Sequence, residues 1–289
     1  MVTIGGVTLG GRTGERPCVL IGSIFYDGHR IVQDASEGRF DQGKARELVE
    51  QQAELSRLTG HPVMLDVIGG TEKSLIAYLE FLADLTDVPL LVDSMSIPVR
   101  LAAIRHFAGS SLLPRLVYNS LDEHCTREEL TALAAAGVKH AVLMAFSNTA
   151  LKPAAKLRLL REKLLPAARD AGIENLLVDP GVLDIASVGW VGASLEAIKA
   201  EGFPAGCAPS NALYSWRRSK GLGAPVFQAA AGSIFSYLLS KGADFLFYGP
   251  MANAPWVFPA CAVADAVRAY AARLEGVRLQ VAEHPLQYL

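Results

Sequence analysis

Six apolar runs in this chain end in short side chains bearing carboxylates, amides or hydroxyls. VMLDVIGG carries Asp66, LLVDSMS carries Asp93 and Ser94, and RLVYNSLDE carries Asn119 and Ser120. AVLMAFSN ends with Ser147 and Asn148, NLLVDPG with Asp179, and CAPSNALYSW contributes Ser210 and Asn211. No His, Lys or Arg stands in these positions. A carboxylate accepts from neighbouring N–H and NH2 groups, and a carboxamide both donates and accepts. Together they suit a neutral heterocycle with amide-like edges. Singly, each is also an ordinary turn former or helix cap. Asp66 has the strongest such explanation, as a cap for a helix near Thr71 or as a buried hydrogen-bond partner.

Other chemistries lack their residues. The adjacent His124 and Cys125 cannot easily converge on one ion, and no second His or Cys pair has ligand spacing, so no metal is expected. A barrel phosphate site would favour glycine-rich loops late in the chain, where PSN and YGP stand instead. Asp27-Gly28-His29 is a partial match to the start of a cobalamin-binding motif, but Val32 occupies the place of the glycine expected three residues on. A permanently bound corrinoid is not expected.

The elements that must position these residues follow from hydrophobic patterning. Eight apolar, β-branched runs read as strands at 18–23, 63–67, 90–93, 115–119, 140–145, 175–179, 204–208 and 245–248. Runs without polar alternation imply burial on both faces, as in a parallel sheet covered by helices. The segments between them supply those helices. The first has an inward stripe of Ala45, Leu48, Val49, Gln52 and Leu55, the fourth opens with the capping box Thr126-x-x-Glu129, and Pro153 and Pro225 begin two others. Glycine follows seven of the eight predicted helices, where a left-handed residue is wanted. Eight strand-helix units without a linker predict one α/β domain over residues 1–289, a (β/α)8 TIM barrel. A doubly wound open sheet would favour a G-x-G-x-x-G turn after its first strand, which is absent. Residues 2–9 read as a hairpin around Gly5-Gly6 that closes the barrel's bottom.

Composition narrows the partners. Lys and Arg number 27 against 29 Asp and Glu, too balanced a charge for general nucleic-acid binding. No run approaches the roughly 20 apolar residues of a membrane span, and the start lacks a signal peptide's pattern. Four widely spaced cysteines without Cys-x-x-Cys fit a reduced, cytoplasmic setting.

With IGSIFYDGHRIVQD (21–34), FDQGKARELVEQQAELSRLTGHPVMLDV (40–67), LLVDSMS, YNSLDE and VDPG in view, the chain resembles the pterin-binding methyl-corrinoid methyltransferases. The resemblance covers nearly the whole chain. It is closest to the H subunit of tetrahydromethanopterin S-methyltransferase and to bacterial relatives such as the tetrahydrofolate methyltransferase of glycine betaine demethylation. It implies methyl transfer between a corrinoid carried by a separate protein and N5 of a tetrahydropterin, with tetrahydrofolate as first expectation and tetrahydromethanopterin as the alternative. It further implies that Asp93, Asn119 and Asp179 hold the pterin, with Asn211 beside N5 as the catalytic hydrogen-bonding residue. Asp66, Ser94 and Ser147 join as further pterin contacts, and a homodimer is implied too. The loop with Trp216, Arg217, Arg218 and Lys220 is expected to meet the corrinoid protein or an anionic folate tail, its other reading being a solvated loop. The dihydropteroate synthases share the fold, but their Asn-x-Thr-Pro-Asp start and C-terminal Arg-x-His are missing. A non-catalytic subunit that only docks a corrinoid protein is the other alternative.

Overall fold

The computed structural model describes residues 1–216, 221 and 223–288. In chain order its strands are β1 (Val2–Ile4), β2 (Val7–Leu9), β3 (Val19–Ile24), β4 (Val32–Asp34), β5 (Arg39–Phe40), β6 (Val63–Ile68) and β7 (Leu90–Asp93), then β8 (Leu116–Leu121), β9 (His140–Met144), β10 (Asn175–Asp179), β11 (Gly206–Cys207) and β12 (Phe245–Pro250). The helices are α1 (Gln42–Thr59), α2 (Glu72–Leu85), α3 (Ile97–His106), α4 (Arg127–Ala136), α5 (Pro153–Leu159), α6 (Leu165–Asp170), α7 (Val188–Ala200), α8 (Ser210–Ser215), α9 (Ala224–Ser240) and α10 (Ala254–Leu274).

Eight of the strands form one parallel sheet in the order β10-β9-β8-β7-β6-β3-β12-β11. A parallel bridge between Val178 and Ala205, with Val178 N–H donating to Pro204 O at 2.9 Å, joins its two ends. The barrel expected from the sequence is therefore present, with each of its eight strands at the predicted place.

Two-sided burial divides its apolar residues into two cores. Val19, Ile21, Met64, Leu91, Val117, Val142, Leu177, Phe245 and Phe247 fill the interior, while Leu20, Leu65, Leu90, Val92 and Leu246 pack outward into the helices. Successive strand residues point to opposite faces, so this partition is the pleat itself. Fully burying each such side chain contributes about 1.5–3 kcal/mol. Ile4 and Leu9 of the β1-β2 hairpin join the interior core at the strands' N-terminal ends. There the Gly5 turn lies against Pro89 and Arg115, confirming the hairpin plug.

Local signals set the helix ends. Thr126 and Glu129 close a reciprocal capping box at α4, as read from the sequence, and Gly137 ends that helix at φ 79°. Thr71 and Ser74 form a second box at α2, so that helix is capped without Asp66. Pro153 and Pro225 lie in the first turns of α5 and α9. Three features were not foreseen: the β4-β5 ribbon, the short helix α8 directly after β11, and a π-helical segment, Leu160–Leu164, between α5 and α6. Among the described residues no helix is long and apolar enough to cross a membrane.

Candidate functional site

The barrel's inward face turns polar one step above its apolar floor. Ile21 is followed two residues later by Ser23, Met64 by Asp66, Leu91 by Asp93, Val117 by Asn119, and Leu177 by Asp179. The two-residue period puts each polar member on the same face as its apolar predecessor, one layer nearer the C-terminal mouth. Strand register aligns them, with Ser23 opposite Asp66 and Asp93 opposite Asn119. Five strands of one closed barrel thus present hydroxyl, carboxyl and amide groups to a common rim.

Ser23, Asp66, Asp93 and Asn119 form one hydrogen-bonded cluster. Asp66, 4% exposed, accepts from Ser23 Oγ at 2.8 Å and from Asn119 Nδ2 at 3.3 Å. It also hydrogen-bonds Asp93. Burial pushes the Asp66 carboxyl up to about 6, against the lowering effect of the Ser23 and Asn119 donors. Asp93 is raised well above the usual carboxylate range by burial and by the Asp66 charge, with the Arg100 guanidinium opposing. Two carboxyls this close cannot both ionise freely, so they retain a proton where isolated carboxyls have lost theirs.

Asp179 lies across β9, at the end of β10, and is 2% exposed. Its Oδ1 accepts from Gly181 N–H at 2.6 Å. Burial raises it to about 6, while the Gly181 hydrogen bond and the Lys156 ammonium pull the other way. Near neutral pH Asp179 is largely an ionised acceptor, as a heterocyclic N–H and NH2 edge requires.

Loops behind the rim are tied by a buried network. Arg100, on α3, donates to Ser94 O, to Ser120 O at 3.5 Å and to Glu129 Oε1 at 3.4 Å, and its guanidinium stands 5.0 Å from the Tyr118 ring centroid. Tyr118 OH donates to the same Glu129 oxygen at 2.5 Å. The capping-box glutamate of α4 thereby also anchors the segment that follows β7 and the C-terminal part of β8.

The remaining expected residues divide. Ser94 is buried, with its hydroxyl accepting from Ser96 N–H at 3.3 Å. Ser147 is buried and accepts from the N–H groups of Thr149 (3.3 Å) and Ala150 (3.1 Å), shaping its own loop, whereas Asn148 is exposed. Asn211 is exposed in the first turn of α8, which Ser210 fastens to the barrel by donating to Phe247 O at 2.7 Å. Trp216 caps the C-terminal end of α8, while Arg217, Arg218 and Lys220 lie outside the described residues.

Two site residues were missed. Ser23 could have been found by its parity with Ile21, since every other site residue on a strand shares that relation to an apolar predecessor. Lys156 had no such signal: it arrives from α5 and lies buried beside Asp179. Elsewhere His29 is buried, accepts Phe25 N–H at 3.1 Å and stacks on Tyr26 at 4.4 Å, a local loop role for the Asp27-Gly28-His29 segment. Among the described residues no group of three or more His, Cys, Asp or Glu side chains is placed to hold a metal ion.

Comparison with known proteins shows the family and the fold. The family model described as tetrahydromethanopterin S-methyltransferase MtrH subunit matches residues 1–280. The H subunit of tetrahydromethanopterin S-methyltransferase from Methanopyrus kandleri is 34% identical over 302 aligned residues, covering 97% of this chain and 94% of the relative. The corresponding Methanothermobacter marburgensis protein is 32% identical, covering 99% and 96%. The H subunit of a putative mtx methyltransferase from Methanosarcina barkeri is 32% identical, covering 100% and 97%. Among solved structures, Xanthomonas albilineans dihydropteroate synthase in complex with 7,8-dihydropteroate superposes with a TM-score of 0.62 at 24% identity, covering 89% of this chain and 96% of that one. A Yersinia pestis dihydropteroate synthase gives 0.64 at 18%, covering 93% and 98%. At such identities these two structures speak for the fold alone.

Proposed function

This chain belongs to the family of the tetrahydromethanopterin S-methyltransferase MtrH subunit, and from that premise we propose that it moves a methyl group between N5 of a tetrahydropterin and a corrinoid carried by a separate protein. Tetrahydrofolate came first on sequence grounds. The relatives' names shift the weight to tetrahydromethanopterin, which we take as the pterin. The observation that carries the reading is the polar layer of Ser23, Asp66, Asp93, Asn119 and Asp179 above the apolar floor of the barrel. A protein that only docked a partner would have no use for it.

The donor set fits a pterin. Asp179, ionised and buried, accepts from the pyrimidine N–H and NH2 edge, Asn119 supplies the complementary donor and acceptor, and Asp93 takes the N8 or N1 side. Asp66 holds Asn119 and Asp93 in place through the hydrogen bonds it makes, while Ser94 and Ser147 shape the rim loops. The corrinoid, when its protein is docked, supplies the cobalt to which the methyl group is exchanged. This chain supplies orientation, which turns an encounter of two large reactants into a positioned one. Asn211, exposed at the rim, contributes a side chain able to donate to or accept from N5 as its charge changes.

The chain works as one component of a methyltransferase assembly, with a corrinoid-binding partner at the barrel mouth, a second copy of itself as homodimer, and a cytoplasmic setting. Calorimetric titration with tetrahydromethanopterin and tetrahydrofolate in parallel tests the pterin assignment, with tighter binding of tetrahydromethanopterin expected. In a folded Asp179→Ala protein the affinity should fall by about 1.5–3 kcal/mol, the worth of hydrogen bonds to a charged group. An unchanged dissociation constant would remove the site.

A further inference from the structure

Lys156 enters the site from a helix, and its side chain is only 3% exposed. A buried ammonium is unfavourable unless its donors find acceptors. Here Nζ donates to Pro180 O and, at 3.5 Å, to Gly181 O, with the Phe146 ring centroid 5.0 Å away. Pro180 O and Gly181 N–H are the two ends of one peptide group, and that N–H is the donor to Asp179 Oδ1 at 2.6 Å. A single planar amide therefore stands between cation and carboxylate, its oxygen toward the ammonium and its hydrogen toward the carboxylate. A charge at the carbonyl end polarises the amide and strengthens the N–H as a donor.

We propose that Lys156 is the positioning residue of the pterin site, keeping Asp179 ionised and aimed at the pyrimidine edge by acting through the Pro180–Gly181 peptide. This rests on Asp179 being a pterin contact. The titratable groups that face this pair from neighbouring elements are Asp179 on β10, Lys156 on α5 and the Cys207 thiol on β11. Burial drives Cys207 well above its usual range, so it stays neutral. Burial likewise lowers Lys156 to about 8, with Asp179 resisting that change, while Asp179 stands at about 6. Both members are ionised between these two values. Binding weakens below the window as Asp179 takes up a proton, and above it as Lys156 loses one.

The test is calorimetric affinity for tetrahydromethanopterin from pH 5 to 9.5, for wild type, Lys156→Met, Lys156→Arg and Asp179→Asn, with thermal unfolding to confirm the fold. Wild type should give a bell-shaped profile. Lys156→Met should lose the alkaline limb and shift the acid limb upward by about one pH unit, making binding at pH 5.5 roughly tenfold weaker. Lys156→Arg keeps its charge throughout, so it should hold the wild-type affinity at pH 7 and lose only the alkaline limb. A folded Lys156→Met protein whose profile superposes on wild type, beside a weakened Asp179→Asn, overturns the inference and leaves the site standing. If Asp179→Asn binds as wild type does, the site assignment fails and the inference with it. Should Lys156→Met not fold, the arginine variant decides, because an alkaline limb retained near pH 8 excludes Lys156 as its source.

Discussion

Replacing Asp66 by Asn should make the ligand-free protein more stable at pH 8, the reverse of what removing a buried, hydrogen-bonded carboxyl ordinarily does. Asp66 is raised from 3.8 to about 6 in the folded state, chiefly by burial. Between those values the folded chain holds a proton that the unfolded chain has released, so stability falls as pH rises through that window. Above about pH 6 the penalty is complete, and at 1.36 kcal/mol per pKa unit it amounts to about 3 kcal/mol. An asparagine carries no charge to desolvate, and its Oδ1 can still accept from the Asp93 carboxyl, which holds the proton the pair shares. The Ser23 hydroxyl, 2.8 Å from Asp66 Oδ2, and the Asn119 amide favour the ionised form, and that shift is already net of them. A net gain on the order of 2–3 kcal/mol at pH 8 remains. Urea unfolding of both proteins from pH 4 to 8, read as the difference curve, cancels the groups that do not interact with Asp66 and reports the Asp66–Asp93 pair. The difference should be near zero or slightly negative at pH 4 and grow to its full value by pH 7. Asp66→Asn less stable than wild type at pH 8, or a flat difference curve, would refute the argument that desolvation dominates this carboxyl.

Asn211→Ala is expected to slow methyl transfer in a single turnover by roughly 30- to 1000-fold, about 2–4 kcal/mol, with a smaller effect on pterin affinity. Since Asn211 is exposed, its loss should leave the melting temperature within a degree or so, and a wild-type transfer rate would take it out of the mechanism. Neutralising Arg217 and Arg218 together should raise the apparent KM for the methyl-corrinoid protein and flatten its dependence on salt, whereas no change in either would take the two residues out of partner binding.

The barrel was legible in the sequence because its signals are short-range. Apolar runs without alternation announced strands buried on both faces, Thr126 with Glu129 announced a helix start, and Gly137 its end, each from residues within one turn or one strand. Asp93, Asn119 and Asp179 were legible for the same reason: each is the polar residue on which an apolar run stops. Asn211 was legible as part of the polar end of the seventh apolar run, and only its expected role beside N5 rested on likeness to a family; its place in α8 is not visible in the sequence, because a helix of six residues carries little periodicity.

What the sequence determined by itself is therefore the set of elements and the polar character of their ends, both encoded along the chain at separations of two to four residues. Which polar residues share a face and a layer depended on strand register. That is set by closure of the whole barrel and decides that Ser23 meets Asp66 and that Asp66 meets Asn119, 53 positions later. Burial of charge was decided only by packing. Lys156 sits on a helix among other charged residues, where a lysine ordinarily points to water. Its pairing with the Pro180–Gly181 peptide arises because α5 lies against the turn that ends β10, a contact between segments 24 residues apart that no local pattern records.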